Sequence, residues 1–478
     1  MKKVLFTMVL ALACTFAFSQ NDHRIAKSKT PLSDIQQVVM PLQDNEALLA
    51  EEMDRRGPGI APRFAVNLVT NISPKTHGEW EILHNGNALW RLRIFSKNAK
   101  SLNLGFTKYN MPRGGSLILY SPDQQRVLGP FTPADNEEHE QLWTPILEGE
   151  ELVIEVQVPA AQKHLLELEL KYVNHDFVGF SEMASGSCNL DVVCGVADGW
   201  EIVDAYRDII QSVAAISTGG SLFCTGFLVN NANQDCTPYF MTANHCGISN
   251  GSASSLVTYW NFNNSTCRQP GSPASGGNGN GSLSNTNTGA IWRAGYAPSD
   301  FTLVELDDPV SATANAFYAG WNTEDIAPSD TVITIHHPSG DEKRISFELD
   351  DTYIGNFTGG GGTPTPNPNG THIIIPDWDI GTTEGGSSGS PLFNNQKQVV
   401  GQLHGGLASC TNNSYDAFGR FALSWNGGGT MTTSLKPWLD PDNTGITSLN
   451  GRSAMQCNFF VDGTPAVIEL CTPAEAVY

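Results

Sequence analysis

The stretch TEGGSSGSP, Thr383 to Pro391, sets Ser388 among glycines and two further serines. A serine hydroxyl is too weak an acid to attack an amide unaided. It needs a base to take its proton and donors to hold the charge that forms on the carbonyl oxygen. Donors are at hand, because Gly385, Gly386 and Gly389 permit close backbone approach and let the amides of Gly386 and Ser388 point into one cavity. A base stands in TPYFMTANHC, where His245 precedes Cys246. A carboxylate stands in APSDFTLVEL, where Asp300 opens a strand-like run. On imidazole Nδ1–H it would fix the tautomer and stabilise the imidazolium. Alone, each fragment reads as a glycine-serine turn, a histidine ending a strand and an aspartate in a turn. Together, in the order His, Asp, Ser, they read as nucleophilic catalysis.

Strands must position these groups. CTGFLVNN, from Cys224, and TPYFMTANHC read as two of them, and a bridge between Cys224 and Cys246 would clamp the base to its neighbour. From about Phe64 to Val173 the pattern alternates with period two: Leu152, Ile154, Val156 and Val158 share one face of ELVIEVQVP. Likewise Leu166, Leu168, Leu170 and Tyr172 lie opposite Glu167, Glu169 and Lys171. Half-buried antiparallel strands in a β-sandwich are expected, with WRLRIFS, SLILYS and RVLGPFT adding to them. The clearest helix signal is EIVDAYRDIIQSVAAI, whose Ile202, Tyr206, Ile209 and Ile210 can share a face. The stretches GSPASGGNGNGSLSNTNTG and TGGGGTPTPNPNG are expected to be surface loops. His336 and His337, adjacent on a strand, would point to opposite faces and so are read as structural, and no metal-binding pattern accompanies them.

At 478 residues the chain exceeds one ordinary core. MKKVLFTMVLALACTFAFSQ has two lysines, an apolar run and small residues near Ser19, as a secretory signal peptide does. Acylation at Cys14 is the minor rival, since Ala11 stands where a lipoprotein signal has Leu. A formal charge of -22 and a pI near 4.8 exclude the basic footprint that nucleic acid requires. Of the 10 cysteines all but Cys14 follow the signal, and export makes disulfides their default. The remaining number is odd, so at least one is free or paired outside this chain.

These stretches, with SGSCNLDVVC, YWNFNNSTCRQP, IHHPSGDEKRIS, GQLHGG and WLDPDNTG, resemble in one order the chymotrypsin-like serine endopeptidases, and more closely the bacterial lysyl endopeptidases. The resemblance covers roughly Ser187 to Asn450. It implies His245 as base, Asp300 as its orienting partner and Ser388 as nucleophile, with disulfides Cys188–Cys410, Cys194–Cys267 and Cys224–Cys246. Cys457 and Cys471 are expected to pair with each other, leaving Cys236 over. In SYDAFGR it puts Asp416 at the base of the first specificity pocket, where a buried carboxylate favours a cationic side chain, Lys by family and Arg as alternative. Gly405 and Gly406 would pair with an extended substrate, and His404 would be the family's second histidine, stacked with Trp378.

The expected architecture is all-β: signal peptide 1–19, propeptide with β-sandwich 20–182, double β-barrel 183–450 with six strands in each barrel, and a C-terminal extension 451–478. The expected protein is a secreted, monomeric zymogen that cuts protein or peptide substrates after a basic residue, needs neither metal nor organic cofactor, and has no membrane span. No Lys or Arg lies between Lys171 and Cys188, so self-cleavage after Lys171 would leave a long extra N-terminal segment, and cutting by another protease is the alternative. Rival readings are an endopeptidase of other specificity, should Asp416 face solvent, and a non-catalytic binding or adhesion protein.

Overall fold

The computed structural model describes residues 25–459. The signal-peptide segment, with Cys14, and Cys471 lie outside the described residues. No helix among the described residues is long and apolar enough to cross a membrane.

The alternating region forms a sandwich of two sheets. One runs in the order Gln37–Val39, Asn87–Phe95, Glu151–Pro159, Ser116–Tyr120, Val127–Phe131, with Glu79–Ile82 also pairing with Asn87–Phe95. The other runs Ala65–Ile72, Glu167–Asp176, Ser101–Asn110, Leu142–Trp143, with Leu147–Glu148 also on Ser101–Asn110. Their facing apolar residues, among them Trp90, Leu92, Leu104, Phe106, Ile154 and Leu170, make one core. Leu166, Leu168 and Leu170 are buried while Glu167, Glu169 and Lys171 are exposed, as period two requires, but a bulge after Leu170 breaks the alternation and Tyr172, expected on the same face, is only half-buried.

Two further units follow, antiparallel except where Gly320–Asn322 runs parallel to Gln398–Gly406, the double barrel expected for the rest of the chain. The first has seven strands in the order Thr286–Thr288, Val257–Tyr259, Val213–Thr218, Leu222–Leu228, Tyr239–Ala243, Phe301–Leu306, Ala290–Tyr296. The second is a ten-stranded sheet whose main path is Leu190–Asp191, Arg344–Glu348, Val332–His336, Pro391–Phe393, Gln398–Gly406, Asp416–Arg420, His372–Ile375, Tyr353–Gly355. Both exceed the six strands expected. The additions are short pairings such as Leu190–Asp191 with Arg344–Glu348. The anticipated helix is two single turns, Glu201–Asp204 and Arg207–Ile210, after which Val213–Thr218 is a strand. That strand is buried at all six positions, so both faces are apolar and the run carries no helical stripe.

Among the described residues four disulfides form, three of them as expected: Cys188–Cys410, Cys194–Cys267 and Cys224–Cys246. The fourth corrects the sequence reading, because Cys457 pairs with Cys236 and not with Cys471. Arg452–Ser453 pairs with Phe317–Tyr318, and the Tyr318 hydroxyl donates to the Cys236 carbonyl at 2.9 Å. Residues 451–457 therefore fold back onto the first barrel, which brings the two sulfurs together.

Candidate active site

Strand register puts the base beside its carboxylate. Tyr239–Ala243 and Phe301–Leu306 are antiparallel neighbours with Ala243 opposite Phe301, so the residues just past one end and just before the other meet. His245 sits in the turn Asn244–Cys246, and Asp300 takes the left-handed φ of 54° that short polar residues tolerate. Asp300 Oδ2 lies 2.8 Å from His245 Nδ1, and its Oδ1 accepts the His245 amide at 3.0 Å. One carboxylate thus fixes both the ring and its backbone. The disulfide to Cys224 ties the same turn to the adjacent strand.

Ser388 comes from the second unit and docks on the first. Its carbonyl accepts the Thr225 amide at 2.9 Å, the Thr225 hydroxyl donates to the Gly386 carbonyl at 2.9 Å, and Cys246 Sγ lies 3.8 Å from the Ser388 carbonyl. Gly389 makes this docking possible, since a Cβ there would collide with Thr242 Oγ1, the Thr225 carbonyl and the Ala243 nitrogen. Around the serine the amides of Ser387, Gly389 and Ser390 bond to the carbonyls of Glu384, Leu403 and Ser387. Those of Gly386 and Ser388 donate to no acceptor among the described residues, which leaves both open to an incoming oxyanion. His245 Nε2 is buried without a hydrogen-bond partner, so the hydroxyl is not yet engaged with the ring.

Asp416 opens the strand Asp416–Arg420 and is 1% exposed. Its Oδ2 accepts from Trp378 Nε1 and Thr383 Oγ1, each at 2.7 Å, while its buried Oδ1 has no partner. Burial pushes the carboxyl up to about 6 despite the two donors. Ser388, Thr383, Gly405, Gly406 and Asp416 line one cleft of about 310 Å³.

The expected stack of Trp378 on His404 is not formed. Trp378 is the floor donor to Asp416 and packs edge-on against Phe418, whereas His404 stacks on Phe357 at 3.8 Å and on His245 at 5.3 Å between ring centroids. His404 Nε2 stands 3.8 Å from Asp300 Oδ2, and His404 Nδ1 meets His372 Nε2 at 2.9 Å. Burial lowers His404 to about 4 and His372 to about 3, so both rings are neutral at pH 7. Phe357, His372 and Thr383 were not singled out in the sequence. His336 and His337 are fully buried, bonded to Ser387 and Ser346 and to the Asp341 carbonyl respectively.

A segment between the sandwich strands Gln37–Val39 and Ala65–Ile72 also enters this cleft. Residues Arg56 to Ile60 and Pro62 line it with Ser388 and Asp416. A Cβ on Gly59 would sit 3.1 Å from His404 Nε2, and one on Gly405 would sit 2.9 Å from the Gly59 nitrogen. Downstream, the Phe223 amide bonds to the Pro62 carbonyl at 3.0 Å and the Phe64 amide to the Ser221 carbonyl at 2.9 Å. Phe64 then packs at a tilt on Phe180, which packs on Phe223 and Tyr259, so an aromatic cluster holds the sandwich and this strap against the first barrel.

Comparison with known proteins bears on the same regions. A lysyl endopeptidase of Pseudomonas aeruginosa is 32% identical over 299 residues, 59% of this chain and 61% of that protein, so the chain aligns with about three fifths of that relative's length. Secreted RxLR effector protein 73 of Plasmopara viticola is 23% identical over 345 residues, 67% of this chain and 79% of that protein. A solved Glu endopeptidase superposes with a TM-score of 0.28 at 19% identity, covering 44% of this chain and 85% of its own. Residues 66–176 match the lysyl endopeptidase N-terminal domain and residues 183–419 match the lysyl endopeptidase C-terminal domain. With both domains matched in order over most of its length, the chain belongs to the lysyl endopeptidase family.

Proposed function

We propose that the protein is a secreted serine endopeptidase, made as a proenzyme, that cuts peptide bonds after lysine. The observation that carries this reading is the buried Asp416 carboxylate, one oxygen unpartnered, in the cleft that also holds Ser388. Such a carboxylate rejects apolar side chains, which would leave it desolvated, and accepts a cation. Because Oδ2 is already bonded to Trp378 and Thr383, one oxygen remains to be offered. An ammonium is served by a single acceptor, whereas a guanidinium fork gains most from two. Lysine is favoured over arginine on that ground, and the burial of Asp416 speaks against the other-specificity reading, which needs it to face solvent.

In this mechanism Ser388 Oγ attacks the carbonyl following the lysine side chain as its proton passes to His245 Nε2. The amides of Gly386 and Ser388 hold the oxyanion, and Asp300 holds the imidazolium. His245 then gives the proton to the leaving amine, the C–N bond breaks, and water cleaves the resulting ester by the same route. Gly405 and Gly406 present backbone to the extended substrate, where the strap now lies. The strap supports the proenzyme reading, since it lies in the cleft that a peptide would enter to meet Ser388. Lys171 stands at a bulge, exposed and without a partner on either edge, inside a strand whose neighbouring residues pair with Ala65–Ile72 and Ser101–Asn110, so cleavage there requires that strand to open locally.

The test is digestion of a mixed peptide library by protein freed of its N-terminal part, read by mass spectrometry. New C termini that are lysine support the reading. Equal cutting after arginine refutes the one-oxygen argument, and an intact library refutes the enzyme.

A further inference from the structure

Behind the wall of the specificity pocket three carboxylates converge where the triad plays no part. The strand Arg344–Glu348 ends against the segment that carries Trp378: Phe347 N donates to the Ile380 carbonyl at 2.9 Å, and the Phe347 carbonyl accepts from Asp379 N and Ile380 N, each at 3.1 Å. That register brings one oxygen each of Glu348, Asp350 and Asp379 within 4.8 Å of one another. The charged groups facing Glu348 are Asp379, Asp377 and Asp350, all acids. Glu348 is 1% exposed; its Oε1 accepts the Asp350 amide at 3.0 Å, and its Oε2 is buried with no partner. Asp379 Oδ2 accepts the Leu349 amide at 2.8 Å, which fixes the second carboxylate too.

Like charges at this spacing repel, and the buried one has lost its water, so the cluster asks for a cation. Calcium, with oxygen ligands at about 2.3–2.6 Å, spaces those oxygens by up to roughly 5 Å, and it tolerates an irregular shell completed by water. Asp350 and Asp379 are exposed and leave room for that water. Magnesium, shorter in its bonds and strict in octahedral geometry, suits the spread less well. We infer that Glu348, Asp350 and Asp379 form a calcium site that fastens the Asp377–Ile380 segment and with it Trp378, the donor to Asp416.

The test uses the full chain with Ser388→Ala to prevent digestion, stripped by chelator. Calcium titration is followed by calorimetry and thermal unfolding, and terbium is added as a luminescent probe excited through the neighbouring Trp378. One ion per chain is expected, with Kd on the order of 10⁻⁴ to 10⁻³ M, a rise in Tm with calcium, and sensitised terbium emission. Glu348→Gln and Asp379→Asn, which keep acceptors for the Asp350 and Leu349 amides, should each weaken binding about tenfold or more. No Tm rise with no terbium emission, or variants that bind like the parent, would overturn the site. An equal response to magnesium would overturn its assignment to calcium.

Discussion

Asp416→Asn in a Ser388→Ala background should make the protein more stable, by an amount that depends on pH in a calculable way. The folded carboxyl sits at about 6 against an ordinary value of 3.8, and burial is the main cause. A difference of about two pH units at 1.36 kcal/mol each means that ionised Asp416 costs the fold about 3 kcal/mol. Below the unfolded value both states are protonated and no cost exists. Between it and about 6 the unfolded state ionises alone, and stability falls as pH rises. Above that the cost is constant. Asparagine carries no charge, and its carbonyl can still accept from Trp378 and Thr383. The variant should therefore gain about 3 kcal/mol over the parent at pH 8, and almost nothing near pH 3. Urea unfolding at a series of pH values, followed by tryptophan fluorescence, measures the gap. A gap that is absent at pH 8, or that does not close on acidification, would refute the claim that the pocket keeps an uncompensated charge for its ligand.

The remaining expectations concern turnover and its control. Asp300→Asn should lower kcat by roughly 10³–10⁴-fold while KM for lysyl peptides changes little, because the aspartate acts through His245 and not on the substrate; a matching rise in KM would argue for a collapsed cleft. Gly59→Leu should make the uncut proenzyme hydrolyse a small lysyl ester faster than the parent does, because the new side chain would be driven into His404 from a backbone at φ +72°; an unchanged rate with the N-terminal part still attached would show that the strap does not block the cleft.

Legibility followed the physics of each element. The sandwich strands could be read because each has one wet face, so Leu166, Leu168 and Leu170 alternate with Glu167, Glu169 and Lys171. Val213–Thr218 could not, because a strand buried on both faces has no alternation, and the turns before it lent it a helical look. The extra pairings of the second barrel, such as Gly320 and Trp321 with Gln398 and Val399, are too short to carry a pattern. In the site, Ser388, His245 and Asp300 each stand in a stretch whose neighbours serve the same chemistry. Phe357 and His372 flank a glycine- and proline-rich excursion and reach His404 only through the fold, as does Thr383 on Asp416. Cys236 and Cys457 are 221 residues apart, and nothing local links them.

The strap is the least legible element, yet its composition fits its position. Under the lysine specificity proposed above, a segment that lies across the site without being cut must keep lysine out of the pocket, and the chain has none between Lys29 and Lys75. Arginine is a harder problem, because Arg55, Arg56 and Arg63 flank the strap and Asp416 attracts any cation. Glu52, 1% exposed, answers it by pairing with all three, Arg56 included although that residue also lines the cleft: its carboxylate lies 2.9 Å from Arg55 Nε, 3.5 Å from Arg56 Nε and 3.1 Å from Arg63 Nε. What remains to cross the cleft is Gly-Pro-Gly-Ile-Ala-Pro, which has no charge for the pocket and, at its two prolines, no amide to donate to a neighbouring strand. The strap therefore covers Ser388 by position alone, held at its two ends by Glu52 and by the pairing of Pro62 and Phe64 with the first barrel. Occupation of this kind ends when either anchor is lost, without any bond in the cleft itself having to break.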